Sequence, residues 1–133
     1  MRIALTGSTG KLGSVVLREL RDAGHDVVGL DIVGAREPGF VQVDLTDYGQ
    51  VVDALGGVDR TERFDAVVHL GAVPAPGIRT DVATFHNNMT STFNVFWAAV
   101  HTNTLTTTLL SILSTVFLSA FALLFSKIKP EDE

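Results

Sequence analysis

The sequence predicts an α/β protein built on a doubly wound parallel sheet, and three observations predict it. A short apolar strand, Arg2–Thr6, runs straight into the glycine-spaced loop TGSTGKLG, Thr6 to Gly13. That loop opens onto a helical pattern in KLGSVVLREL. Strand-like and helical runs then alternate at short spacing, which requires right-handed βαβ crossovers and a parallel sheet.

The elements follow in order. A helix is predicted over 11–23, with Leu12, Val15, Val16 and Leu20 at three-to-four spacing as one buried face and Gly24 as its stop. DVVGLD, Asp26–Asp31, is a second strand whose apolar run suits a sheet covered on both faces. Residues 34–39 read as loop and 40–44, FVQVD, as a third strand. Thr46 or Asp47 can cap a helix carrying Tyr48, Val51, Val52 and Leu55 on one side, ended by Gly56-Gly57. A fourth strand covers 65–70, and residues 71–79, with Pro74 and Pro76, cannot be helix. A long helix is predicted over 81–100, where Phe85, Met89, Phe93, Phe96 and Val100 make an apolar stripe.

Composition narrows the function classes. At 133 residues the sequence holds one domain at most, large enough to bury a core. A net charge of −5 with no basic patch argues against a nucleic-acid partner. The absence of cysteine excludes disulfides and thiolate metal sites and suits a cytoplasmic location. Glycines and polar residues after Leu5 break any export signal. His69, without a carboxylate or cysteine partner in the pattern, reads as a satisfied strand residue rather than a metal or catalytic group.

Strand, glycine turn and helix N-terminus together make an anion site. Gly7 allows the turn, Gly10 lets a diphosphate approach the backbone, and Gly13 lets the helix sit close. Ser8, Thr9, Lys11 and Leu12 complete the loop. A merely tight βα turn is the competing reading. Asp31 ends the second strand 18 residues past Gly13, where a carboxylate can accept both ribose hydroxyls and repel a 2′-phosphate. That favours NAD over NADP, although Arg36 lies near enough to keep NADP open; a turn-forming Asp is the alternative. Asp44-Leu45 follows the third strand, placed either to meet an adenine or to cap the next helix. Leu70-Gly71-Ala72 follows the fourth, a small-residue turn past which the second half of a dinucleotide can run.

Residues 1 to about 99 resemble the amino-terminal half of an NAD(P)-dependent epimerase/dehydratase, of the extended short-chain dehydrogenase/reductase family. The matching pieces are TGSTGKLG, the strand-end Asp31, VDLTD at 43–47, VVHLGA at 67–72 and NNMTSTFNV at 87–95. The resemblance implies a Rossmann-type fold in which Gly7, Gly10, Lys11, Leu12 and Gly13 contact the diphosphate. It implies that Asp31 holds the adenosine ribose and that Asp44 and Leu45 flank the adenine. Leu70, Gly71 and Ala72 would line the nicotinamide side, with Asn88 supporting the site from its helix. Sugar-acid or nucleotide-sugar substrates are the class the VPAPG loop most resembles.

The resemblance also implies what should follow: a fifth strand ending in a catalytic Ser or Thr, then a Tyr-x-x-x-Lys helix. The only tyrosine is Tyr48 and the only lysines are Lys11, Lys127 and Lys129, so no Tyr-x-x-x-Lys can be written. No catalytic or metal-binding residue is therefore assigned, and the fifth strand is read as missing. The expectation is a truncated fold, with 1–100 as the NAD(P)-binding domain and 101–133 as an apolar tail. From Leu105 to Phe125 run 21 uncharged residues, 14 of them apolar. As one apolar C-terminal helix they would cross a hydrocarbon core of about 30 Å, which makes a membrane a partner to test. A buried strand and helix, or a misjoined reading frame after Ala99, are the competing accounts. The functional expectation is a cofactor half that is inactive alone, or a non-catalytic NAD(H)-binding module anchored by its tail. A remnant that binds nothing is the third reading, and self-association through an uncovered apolar stripe is expected.

Overall fold

Side chains alternate across a strand, so in Arg2–Thr6 (β1) Ile3 and Leu5 go to one face and Ala4 to the other. The computed structural model describes residues 1–35, 37–56, 63–75, 77–102, 104 and 110–111. After β1 come α1 (Lys11–Asp22), β2 (Asp26–Asp31), β3 (Phe40–Gln42), α2 (Tyr48–Gly56), β4 (Ala66–His69), α3 (Asp81–His101) and β5 (Leu110–Ser111). The sheet runs β3-β2-β1-β4-β5 with every neighbouring pair parallel. On one face Ile3, Leu5 and Val27 meet Val16, Leu17 and Leu20 of α1. On the other, Ala4, Val28, Leu30 and Val67 meet Val51 and Leu55 of α2 and Val95, Ala98 and Ala99 of α3. β2 is buried from Val27 to Leu30, as a strand covered on both sides must be. The chain steps outward from β1 through β2 to β3, then returns to β4 on the opposite side of β1. Strand order therefore reverses between β1 and β4, the switch point beyond whose strand carboxyl ends folds of this kind take their ligands.

Two helices present faces that periodicity alone does not give. In α1, Leu12 is 53% exposed and Val15 is also exposed; the packed residues are Gly13, Val16, Leu17 and Leu20. The helix is rotated to bring the bare Cα of Gly13 against the loop, which turns Leu12 and Val15 aside. In α3, Thr80 accepts a hydrogen bond from the Ala83 N–H as N-cap, and Asp81 in the first turn suits the positive end of the helix dipole. Its buried face is small or polar apart from Val95: Asn88, Ser91, Asn94, Ala98 and Ala99 complete it. Phe85, Met89, Phe93 and Val100 face outward, joined by Val82 and Trp97, whereas Phe96 is half-buried. Phe93 and Trp97 stack with ring centroids 6.0 Å apart.

The tail departs from expectation. Leu110–Ser111 is a strand beside β4, pairing Leu110 with Val68 and Ser111 with His69. A single apolar helix from Leu105 to Phe125 is thereby overturned, because its sixth and seventh residues are hydrogen-bonded into the sheet. The fifth strand that the sequence reading withheld is present. Among the described residues no helix is long and apolar enough to cross a membrane. Residues 105–109 and 112–133, with Lys127 and Lys129, lie outside the described residues, as do Arg36, Gly57 and Pro76.

Candidate functional site

The loop after β1 is tied to both neighbouring strands. Gly7 has φ +69°, a left-handed conformation natural to glycine, and its N–H donates to the Leu30 carbonyl at 2.8 Å. A Cβ at Gly7 would lie 2.7 Å from Gly71 N and from Leu70 C and O, so this turn abuts the β4 turn backbone to backbone. At Gly13 a Cβ would come within 1.9 Å of the Gly7 carbonyl oxygen. Gly10 differs. Its Cβ would meet only the Gly7 oxygen, at 3.2 Å, and its φ of −69° is ordinary. Gly10 is the N-cap of α1 and no side chain caps the helix there. The first N–H groups of α1 thus point out of the loop as donors, with Lys11 exposed beside them.

Asp31, at the end of β2, is fastened to that loop. Its Oδ2 accepts from the Thr9 N–H at 2.9 Å and the Thr9 hydroxyl at 2.8 Å, and its Oδ1 accepts from the Ile32 N–H at 2.8 Å. Ser8 behaves otherwise. Its side chain is buried, its Oγ has no hydrogen-bond partner, and it lies where a Cβ on Gly29 would be, at 2.7 Å. Ser8 therefore turns its hydroxyl beneath the loop and leaves only backbone to a ligand.

At the end of β3, Asp44 is a local cap. Its Oδ1 accepts from the Thr46 N–H at 2.8 Å and the Thr46 hydroxyl at 2.7 Å, while its own N–H donates to Gln50 Oε1 at 3.0 Å. Asp47 takes the Gln50 N–H at 3.2 Å and the Gln50 amide at 3.0 Å, and these bonds hold its carboxyl below the usual carboxylate range. Leu45 lies across the β4 turn: a Cβ on Gly71 would sit 2.4 Å from Leu45 Cδ1. The Leu45 carbonyl accepts from Asn94 Nδ2 of α3 at 3.0 Å.

The β4 turn hangs on Thr6. Thr6 Oγ1 accepts from the Leu70 and Gly71 N–H groups, each at 3.1 Å, which fills both lone pairs of the hydroxyl. Its one hydrogen therefore goes to His69 Nδ1, at 2.7 Å. That fixes the tautomer: Nε2 carries the proton and donates to Thr92 Oγ1 on α3 at 3.2 Å. Burial pushes the His69 pKa from 6.5 down to about 4. Past Ala72, Asn88 clamps the chain with its Oδ1 accepting from the Val73 N–H at 2.8 Å and its Nδ2 donating to the Val73 carbonyl at 3.1 Å.

The structure thus gathers the Gly7–Gly13 loop, Asp31, Leu45 and the turn of Leu70, Gly71 and Ala72 at the carboxyl ends of β1, β2, β3 and β4. Asn88 sits behind them; Asp44 is committed in part to Thr46. Thr6, His69, Thr92 and Asn94 also hold the site, and sequence reasoning assigned none of them to it. Polar residues on the buried face of a helix, as at Asn88, Ser91 and Asn94, were the available signal. Among the described residues no group of three or more His, Asp or Glu could hold a metal ion.

Known proteins resemble this chain in sequence and fold. The chain is 31% identical over 123 residues to UDP-glucose 4-epimerase of Drosophila melanogaster, covering 76% of this chain and 34% of that protein. Over 72 residues it is 48% identical to a probable low-salt glycan biosynthesis reductase of Haloferax volcanii, covering 51% of this chain and 22% of the relative. Among solved structures, Thermus thermophilus UDP-glucose 4-epimerase in complex with NAD matches with a TM-score of 0.67 and 28% identity, over 78% of this chain and 35% of that one. The chain spans about a third or less of the length of these relatives. The family match runs from residue 3 to 119, well past the last motif of the resemblance at Val95. On that match the chain belongs to the NAD dependent epimerase/dehydratase family.

Proposed function

We propose that residues 1–100 bind NAD across the switch point between β1 and β4, as the cofactor half of an enzyme acting on a sugar or nucleotide-sugar. One observation carries the reading: an uncapped helix N-terminus and a strand-end carboxylate are joined by the same loop, through Thr9. In it the diphosphate lies over Gly10 on the N–H groups from Lys11 to Gly13, the Gly10 N–H itself donating to the Gly7 carbonyl at 3.1 Å; Asp31 takes the adenosine ribose, and Leu45 lies beside the adenine. Leu70, Gly71 and Ala72 flank the nicotinamide, and Asn88 keeps that turn in place. NAD would supply a hydride acceptor there. These residues bind and orient; none is placed to move a substrate proton. With no Tyr-x-x-x-Lys anywhere in residues 1–133, the chain by itself is not expected to turn a sugar over. The substrate class is supported by the UDP-glucose 4-epimerases among the relatives.

Calorimetric titration with NAD tests the proposal. Asp31→Ala should weaken binding by roughly tenfold or more, the scale of one hydrogen bond to a charged acceptor. Unchanged affinity would remove the ribose assignment. Turnover of UDP-glucose by the isolated chain would contradict the absence of an acid/base.

A further inference from the structure

Asp31 is not an open carboxylate. Counting acceptor positions, Oδ2 is filled by the two Thr9 donors and Oδ1 is half filled by Ile32, so one lone pair remains. A ribose diol brings two O–H donors, and only one finds a vacant place unless the Thr9 hydroxyl lets go. The Thr9 contacts also do something the ribose cannot. They bind the carboxylate from the loop side, 22 residues away in sequence, and so restrain the side-chain rotation that would carry its charge away from the switch point.

Repulsion of a 2′-phosphate works only while the carboxylate stays where that phosphate must go. Without the Thr9 hydroxyl, held only by the two backbone N–H groups of residue 9 and Ile32, Asp31 is freer to swing outward and admit the phosphate. Resting on the proposed ribose role of Asp31, we infer that Thr9 is a specificity-determining residue. Its hydroxyl latches Asp31 in the rotamer that excludes NADP, and its N–H serves as the second anchor. Thr9 touches no reacting atom in this arrangement; it acts through Asp31.

The residue is exposed, so substitutions should leave the fold intact. Thr9→Val keeps the branched shape and the backbone N–H bond and deletes the hydroxyl; Thr9→Ser keeps the donor. NAD and NADP are titrated calorimetrically into the wild-type chain and into Thr9→Val, Thr9→Ser and Asp31→Ala. The NAD-to-NADP affinity ratio should fall roughly tenfold in Thr9→Val, mostly through tighter NADP, and return in Thr9→Ser. A wild-type ratio in Thr9→Val, with Asp31→Ala still losing NAD affinity, overturns the latch and leaves the cofactor reading standing. Unchanged NAD affinity in Asp31→Ala overturns the ribose reading and the latch together.

Discussion

Mild acid should loosen this protein through one histidine. His69 lies 8% exposed between Thr6 and Thr92, and burial lowers its pKa from 6.5 to about 4. Protonation would put a second donor at Nδ1, facing the Thr6 hydroxyl whose lone pairs already serve Leu70 and Gly71. An unfolded chain takes up this proton near pH 6.5, while the folded chain resists until about pH 4. The stabilisation is therefore complete above the unfolded value and is lost as pH falls through that window. Linkage over the whole window gives at most about 3 kcal/mol, and about 2 kcal/mol of it disappears between pH 7.5 and pH 5. Asp47 acts lower. Its stabilisation is present above the ordinary carboxylate value of 3.8 and is lost as pH falls below it. Urea midpoints for wild type and His69→Gln across this range make the assay. The wild-type free energy should fall with acid while the variant's stays flatter by about the same 2 kcal/mol. Parallel profiles would refute the assignment, as would nitrogen NMR shifts placing the proton on Nδ1. Should His69→Gln not fold, a wild-type midpoint constant down to pH 5 refutes it alone.

The glycines and the outer face of α3 give two more expectations. Gly13→Ala sets a Cβ against the Gly7 carbonyl, so helix or loop must shift, at about 1–3 kcal/mol and with loss of NAD binding. Gly10→Ala meets one atom at 3.2 Å in an ordinary conformation; it should melt like wild type, within about 1 kcal/mol, yet bind NAD more weakly. Full affinity in Gly10→Ala would mean no diphosphate rests there. Phe85, Phe93 and Trp97 leave a wide apolar face in water, so sedimentation should show self-association that Phe93→Glu with Trp97→Glu reduces; a clean wild-type monomer at high concentration would count against it.

How much of this could be read from the sequence follows from which signals are local. β1 and β2 match their expected bounds, because turns with their own chemistry delimit the short apolar runs, at Gly7 after β1 and at Gly24 before β2. The ends of β3 and β4 fall a residue or two short of expectation, since ladder pairing stops before the pattern does. Helix rotation was hidden. Spacing says that Leu12, Val15, Val16 and Leu20 share a side, yet the deepest contact of α1 is a glycine, which carries no apolar signal. The apolar stripe of α3 faces out for a related reason: its inner face is Asn88, Ser91, Asn94, two alanines and Val95, and one large apolar residue among small and polar ones gives a weak periodic signal. Hydrogen bonds such as Thr6 to His69 and Asn94 to Leu45 join residues 63 and 49 positions apart, and no local pattern encodes them. The tail misled because uncharged, apolar length marks a membrane helix and a sheet strand alike, and Leu110–Ser111 pairs with β4 as a strand.

The glycine trio itself proves to be weak testimony about ligands. Gly7 and Gly13 are demanded by the protein: any side chain at either would strike backbone of the β4 turn or of the loop, whatever the chain binds. A fold with no cofactor would need both. Only Gly10 lacks an internal reason, and only at Gly10 does the helix open without a cap. The case for a dinucleotide therefore rests on a single glycine, on the N–H groups it leaves bare, and on an acid held 22 residues away by Thr9. Packing explains a tight βα turn. It offers no reason to tether a half-buried carboxylate to that turn with a threonine's two donors, whereas a ligand spanning from phosphate to ribose needs both ends fixed at one distance before it arrives.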